Sequence, residues 1–294
     1  MNCSFREATA RMRIAGLVDE GSFIEFLPPP QRTCSPHLRA LDLPAAFDDG
    51  AIVGRGRIAG HALLLAAQEG GFMGGSVGEV HGAKITGLLE RAQRENPAAV
   101  LLLVESGGVR LHEANAGLIA VSEIMRAVLS TRTAGVPVLV LNGGQYGCFG
   151  GMSIVSRLCD AIIMSEEGRM GLSGPEVIES ACGVEEFDSR DRALVWRTVG
   201  GKHRYLTGDA AMLVEDDAAA FRAAVLQLID SITPNLSLGA LLAEHQRLGE
   251  RLARFGGCSD ALEVWRLLGA EAPESLPLLE IAEFLAVAPS RGRS

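Results

Sequence analysis

Two glycine-rich stretches carry the residue types that could hold a developing negative charge. One is Gly143-Gly144-Gln145-Tyr146-Gly147-Cys148-Phe149-Gly150-Gly151, the other Ser106-Gly107-Gly108-Val109. Glycine lets another molecule approach the backbone closely. At a helix start the N–H groups have no intrahelical acceptor and the dipole is positive. One amide from each stretch could therefore grip a single oxygen as an oxyanion forms. A turn needed only for tight packing would use the same glycines, and these residues alone leave both readings open.

Side chains suited to covalent chemistry are few. Ser106 lacks the G-x-S-x-G spacing of a nucleophile elbow, and Gly151-Met152-Ser153-Ile154-Val155 lacks the last glycine. A thiol at a helix start, such as Cys148, can have a lowered pKa. A nucleophile needs a nearby base, however, and no His lies between His112 and His203. Cys148 therefore reads as a structural residue lining the pocket. Arg110 and Glu113 are one helical turn apart and are expected to pair. Lys202, His203 and Arg204 read as a solvated cluster, with carrier or phosphate charge as the alternative partner. His37, His61 and His245 carry no partner pattern and read as structural.

The elements that must position these loops follow from periodicity. Val136 to Leu141 is an apolar run suited to a buried parallel strand, and Met152 to Leu158 reads as a helix, so the longer glycine stretch joins a strand to a helix. Ala99 to Val104 is a second such strand, followed by Glu105 to Arg110 as its loop and a helix over Ala114 to Thr131. Ile52 to Ala66 reads as a hairpin turning near Gly60. Gly70 to Gly78 is a third glycine-rich loop before a helix over Glu79 to Arg94. Asp160 to Met164 is a strand, Gly168 to Leu172 is short and extended, and Pro175 suits the first turn of a helix. Ser4 to Asp19 has helical spacing, with Ser4 and Glu7 as a capping box and Gly21 as its end. Leu27 to Pro44 reads as an irregular surface arm. After Asp188 the chain is mainly helical, and Leu236 to Leu268 suits a helical hairpin. Alternating strands and helices argue for an α/β fold. The expected divisions are residues 1–50 (helix and Pro-rich arm), 51–235 (the α/β domain) and 236–294 (a helical extension).

Composition excludes several classes. The 294 residues carry a net charge of −9, so there is no basic footprint for nucleic acid. The six cysteines (Cys3, Cys34, Cys148, Cys159, Cys182 and Cys258) form no C-x-x-C pair, which argues against a zinc ribbon; no metal site is expected. Scattered cysteines in an acidic chain fit a reducing cytoplasm. No run of about 20 uncharged apolar residues suggests a membrane span. Arg6, Glu7, Arg11 and Arg13 interrupt any secretory core.

Gly74-Gly75-Ser76, Glu105-Ser106-Gly107-Gly108-Val109-Arg110-Leu111-His112-Glu113, Gly150-Gly151 and Leu172-Ser173-Gly174-Pro175 resemble the signature of carboxyltransferase domains of the acyl-CoA carboxylase and decarboxylase group, within the crotonase superfamily. The resemblance runs from about Leu17 to about Asp217. Within the group the chain is most similar to the β subunits of biotin-independent malonate decarboxylases. Gly144 to Gly150 also resembles the nucleophile turn of caseinolytic-type serine proteases of the same superfamily, with Cys148 in the serine place. The resemblance implies a crotonase-like spiral of β-β-α units with a helical C-terminal extension. It implies a homologous γ subunit as partner and a malonyl thioester on the phosphopantetheine-like arm of an acyl carrier protein, with no cofactor bound by this chain. By matching motif positions, Gly107, Gly108, Val109, Gly150 and Gly151 are the catalytic candidates. Ser106, Gln145, Tyr146, Cys148, Phe149 and Gly174 are the substrate-binding ones. The four-Cys zinc ribbon that usually opens bacterial acetyl-CoA carboxylase β subunits is absent, which counts against that relative.

Loss of CO2 from a malonyl thioester leaves an enolate with charge on the thioester oxygen. Each amide aimed there is worth about 2.7–4 kcal/mol in the acyl-transfer analogue. The departing carboxylate loses its charge, so a cation held against it would stabilise the ground state and slow the step. Amides and apolar groups are expected around it, and Tyr146, His81 and His112 are candidate proton donors to the enolate. A side chain at Gly108 or Gly151 should intrude on substrate while leaving assembly intact. Alternative classes are a β-type carboxyltransferase subunit of a biotin-dependent acyl-CoA carboxylase and a non-catalytic scaffold partner.

Overall fold

The computed structural model describes residues 4–289. The strands are β1 (Ile24–Glu25), β2 (Ala51–Ile58), β3 (His61–Gln68), β4 (Ala99–Leu103), β5 (Val138–Asn142), β6 (Cys148–Phe149), β7 (Ala161–Ser165), β8 (Met170–Gly171) and β9 (Met212–Val214). The helices are α1 (Ala10–Leu17), α2 (Pro36–Ala40), α3 (Glu79–Glu95), α4 (Asn115–Thr133), α5 (Gly151–Leu158), α6 (Pro175–Cys182), α7 (Arg192–Val199), α8 (Gly201–Leu206), α9 (Ala218–Ile229), α10 (Leu238–Phe255), α11 (Ala261–Leu267) and α12 (Ile281–Val287). None among the described residues is long and apolar enough to cross a membrane.

The main sheet runs β1-β2-β3-β4-β5-β7-β9. The β2–β3 hairpin turns at Ala59-Gly60, both at positive φ (48° and 83°), as a two-residue turn matching the strand twist requires. From β3 onward every pairing in this sheet is parallel. Four of the parallel strands are followed by a short extended segment and then a helix: β3, Val77 and α3; β4, Ser106 to Val109 and α4; β5, β6 and α5; β7, β8 and α6. The short segments pair with one another, Val77 with Val109, Ser106 with Cys148, and β6 with β8. This is the spiral of β-β-α units expected from the resemblance.

Side chains on successive strand residues point to opposite faces. Leu64, Leu102, Val140 and Ile162 pack under α3, α4 and α5. Leu63, Leu101, Leu139 and Ile163 pack against Ile14 and Leu17 of α1 and Phe221 and Val225 of α9. Both faces are covered, which is why the parallel strands read as unbroken apolar runs. The C-terminal extension gathers around Trp265, with Leu206, Leu213, Leu276, Ile281 and Phe284.

Several local expectations need correction. The first helix begins at Ala10 with Thr9 as its cap, and ends at Leu17, short of Gly21. Ser4 does accept the Glu7 N–H (3.1 Å), but its hydroxyl also donates to Asp216 (2.6 Å), so it closes a separate turn. The Pro-rich segment is no simple surface arm: it contains α2 and buries Ser35 and Leu38. Strand β9 was not foreseen, because three residues ahead of Glu215-Asp216 are too few to show a period. The helical expectation for Leu236 to Leu268 holds, as two helices, α10 and α11, joined through Gly256-Gly257.

Candidate active site

The two glycine loops meet at the carboxyl ends of β4 and β5, where open α/β sheets collect ligands. Ser106 N–H donates to the Gly147 carbonyl and Phe149 N–H to the Ser106 carbonyl, both at 2.8 Å. Gly107 N–H is taken by the Gly74 carbonyl (2.8 Å) and Gly150 N–H by the Leu172 carbonyl (3.0 Å). Gly108 N–H has a long contact to Ser106 Oγ (3.3 Å). Val109 differs. Its neighbours make the parallel bridge to Val77, through the Gly108 carbonyl and the Arg110 amide. The Val109 N–H therefore points away from Val77 and has no protein acceptor among the described residues. The N–H of Gly151, first residue of α5, is likewise without one.

Helix α4 backs both loops. A Cβ on Gly117 would lie 2.7 Å from Val109 Cγ1, and one on Gly151 would lie 2.6 Å from Val121 Cγ1. Beside Gly108, at φ +135°, a Cβ would meet nothing within 4 Å. Gln145 and Tyr146 are exposed on the rim. Phe149 is buried with Phe187, Val195 and Val199, and a Cβ on Gly174 would touch its ring at 3.9 Å.

The thiol of Cys148 is fully buried and lies 3.4 Å from Ser156 Oγ. Burial pushes its pKa up to about 12, the reverse of an activated helix-start thiol. It faces the core, so any contact of Cys148 with a ligand goes through its backbone. His81 is also removed from the proton donors. It is fully buried, with Gln68 Nε2 3.0 Å from its Nε2 and the Asp49 carbonyl 3.2 Å from its Nδ1. Burial, then the Arg110 charge, lower its pKa to about 3, so the imidazole is neutral at neutral pH. His112 is exposed.

Lys202, His203 and Arg204 are not a solvated cluster. Lys202 Nζ binds Glu166 (2.7 Å) and the Pro277 and Leu279 carbonyls. His203 accepts from Trp265 Nε1 (3.1 Å), and Arg204 binds Asp209 (3.0 Å) and the Met170 carbonyl (2.9 Å). His37, expected to lack a partner, pairs with Glu79 at 2.7 Å on the surface. Arg110 pairs with Glu113 as expected (2.8 Å), and equally with Asp49 (2.8 Å), with all three side chains buried.

Two buried ionic groups escaped the sequence reading. Glu105, directly ahead of Ser106, is ion-paired to Arg13 of α1. Asp49 gathers Arg110, the Ser35 N–H (3.0 Å) and the His81 N–H (3.1 Å). A signal for the first was present: Arg13 sits between Ala10, Ile14 and Leu17 on the apolar stripe of its helix, where an arginine needs a buried partner.

Residues 6–237 match the family described as the carboxyl transferase domain. The chain belongs to that family. Among carboxyl transferase relatives, it is 42% identical to the malonyl-S-ACP:biotin-protein carboxyltransferase MADC of Malonomonas rubra, over 97% of this chain and 95% of that one. A chain in the crystal structure of a Pseudomonas malonate decarboxylase hetero-tetramer in complex with malonate superposes with a TM-score of 0.82 at 41% identity, over 90% of this chain and 97% of that one. A chain of the Pseudomonas MdcD-MdcE hetero-dimer gives 0.66 at 39%, over 84% and 96%. The crotonase-like carboxyltransferase fold of this family is the one described above.

Proposed function

We propose that this chain is a subunit of a malonyl-[acyl-carrier-protein] decarboxylase, a carboxy-lyase. It stabilises the thioester enolate with backbone amides while CO2 leaves and the acetyl thioester forms. One observation carries the reading: Val109 and Gly151, on two loops in contact, each offer an N–H with no protein acceptor among the described residues. Donors fixed before substrate arrives need no reorganisation as charge develops. Of the five catalytic candidates these two suit the donor role best; Gly107, Gly108 and Gly150 let the loops close on each other. Ser106, Gln145, Tyr146, Cys148, Phe149 and Gly174 make up the surrounding wall in this reading, Cys148 by its backbone. Tyr146 and His112 remain as side-chain proton donors beside water.

The substrate is carried on the phosphopantetheine-like arm of a carrier protein, and a homologous subunit completes the site. Exposed Leu111, Leu118, Ile119, Leu172 and Val177 near the loops support a covering partner. A cytoplasmic location belongs to the same proposal. It is supported by free Cys34, Cys148, Cys159, Cys182 and Cys258.

The Malonomonas relative, a malonyl-S-ACP:biotin-protein carboxyltransferase, favours a second reading, in which the same enolate-forming step passes the carboxyl group to a biotin protein. Carboxyl-labelled malonyl thioester, incubated with the partner subunit and no biotin, separates the two. Release of labelled CO2 supports decarboxylation. No CO2 without biotin, and label appearing on a biotin protein once one is added, supports transfer. Neither, from an assembled complex, counts against both.

A further inference from the structure

We propose that Glu105 is a positioning residue. Its carboxylate, ion-paired to Arg13, fixes the Gly143 to Gly147 loop through the Tyr146 amide and so sets the rim of the candidate site. The inference rests on the reading of the two glycine loops as the substrate site. Glu105 is 3% exposed and Arg13 2%. Glu105 Oε1 accepts the Tyr146 N–H at 3.1 Å. Oε2 accepts from Arg13 Nη1 and, at 3.4 Å, from the Gly70 N–H. Arg13 is itself held, its Nε donating to the Phe5 carbonyl (2.7 Å) and Nη2 to the Arg6 carbonyl (3.1 Å).

Three donors converge on this group, and it must offer acceptors only. A carboxylate does so, whereas a glutamine would turn an NH2 toward one of them. The arginine supplies the opposite charge that a buried carboxylate requires. The carboxyl also fills the space that side chains at residues 70 and 144 would need. A Cβ on Gly70 or Gly144 would lie 2.5 or 2.6 Å from Glu105 Cδ. Tyr146 is thus pinned one residue before Gly147, whose carbonyl takes the Ser106 N–H. One buried group therefore registers one loop against the other.

Amide exchange on the wild-type complex is the first test. The Tyr146 N–H is expected to exchange as slowly as amides of the β4–β5 ladder; exchange at the rate of an open loop overturns the proposal. The second test is the double variant R13M/E105M, assayed with the partner subunit and malonyl thioester. An apolar pair of similar volume keeps the core filled without leaving a lone charge. The expected result is faster Tyr146 exchange and a kcat lower by about 10²-fold, the scale of a 1 Å misplacement, at unchanged complex size. R13K, which keeps the carboxylate and a cation, should restore most of the rate. Wild-type kcat in an assembled R13M/E105M complex overturns the proposal. Gly108→Ala in the same assay reads the site itself: its failure to affect turnover would reject the site, whereas its loss of turnover beside a fully active R13M/E105M would reject only Glu105.

Discussion

Gly150 faces Gly108 so closely that a Cβ on Gly150 would stand 3.1 Å from the Gly108 Cα. The contact joins the loop after β4 to the turn that starts α5, and the free amides of Val109 and Gly151 belong to the next residue on each side. Gly150→Ala should therefore wedge the two donors apart. Its φ of 60° with ψ of −138° is open mainly to glycine and adds backbone strain of about 1–3 kcal/mol. The expected outcome is a kcat lower by about 10²-fold, the scale of one lost donor, with a drop in melting temperature and an intact complex. Wild-type kcat in the folded variant would refute the donor assignment.

Gly151 demands a different test from the one its sequence suggests. A side chain there meets Val121 of α4 before it meets substrate (2.6 Å to Cγ1), so Gly151→Val is first a packing lesion. Gly151→Ala should lower stability by about 1–3 kcal/mol, the usual range for overpacking. Adding Val121→Ala should recover part of that loss and part of the rate. A double-variant cycle in denaturant checks it; strict additivity would mean that the two side chains do not compete for space.

Cys148 should be chemically silent. Its thiol is buried and its pKa is pushed up to about 12. Cys148→Ser and Cys148→Ala should keep substantial decarboxylation, and iodoacetamide should not label the native residue. Trapping of an acyl group on Cys148 during turnover would revive covalent catalysis.

Stability should fall on mild acidification. His81, fully buried, and His203, half-buried against Trp265, are neutral in the fold, desolvation being the main cause, with pKa lowered to about 3. Above the unfolded value of 6.5 neither state gains a proton, and the contribution is fully present. Below it the unfolded chain takes protons that the fold refuses, so stability is lost as pH falls toward 3. Each imidazole adds a slope approaching about 1.4 kcal/mol per pH unit. Urea midpoints at pH 7.5, 6 and 5 measure it, and His81→Gln should flatten the acid limb. An unchanged slope in that variant would assign the effect elsewhere.

Much of the fold was legible because the parallel strands are buried on both faces. Val100 to Leu103 and Val138 to Leu141 each show one unbroken apolar run, followed within a few residues by a pair of glycines, and that punctuation also revealed the two loops. What stayed hidden has no local signature. Whether a glycine amide is free or taken depends on Gly74, which lies before α3 and β4 as seen from Gly107, and on Leu172, which lies beyond α5 and β7 as seen from Gly150. Lys202 and His203 are covered by Pro277, Leu279 and Trp265 of the C-terminal extension. Arg13 and Glu105 are 92 residues apart. A three-letter run of charges looks solvated until the chain that covers it is folded back over it.

The pairing of α1 with α9 bears on synthesis. Ser4 and Arg6 bind Asp216 across 212 and 210 residues, and Arg222 reaches back 203 residues to Asp19. Helix α1 leaves the ribosome before α9, whose Phe221 and Val225, which share its layer, follow about 200 residues later. At roughly 5–20 residues per second this is a wait of about 10–40 seconds. During it, Leu63, Leu101 and Leu139 lie on a sheet face covered on one flank only. A nascent chain stalled before Ala218 should accordingly be protease-sensitive and bind a chaperone, and extension past Ile229 should release it.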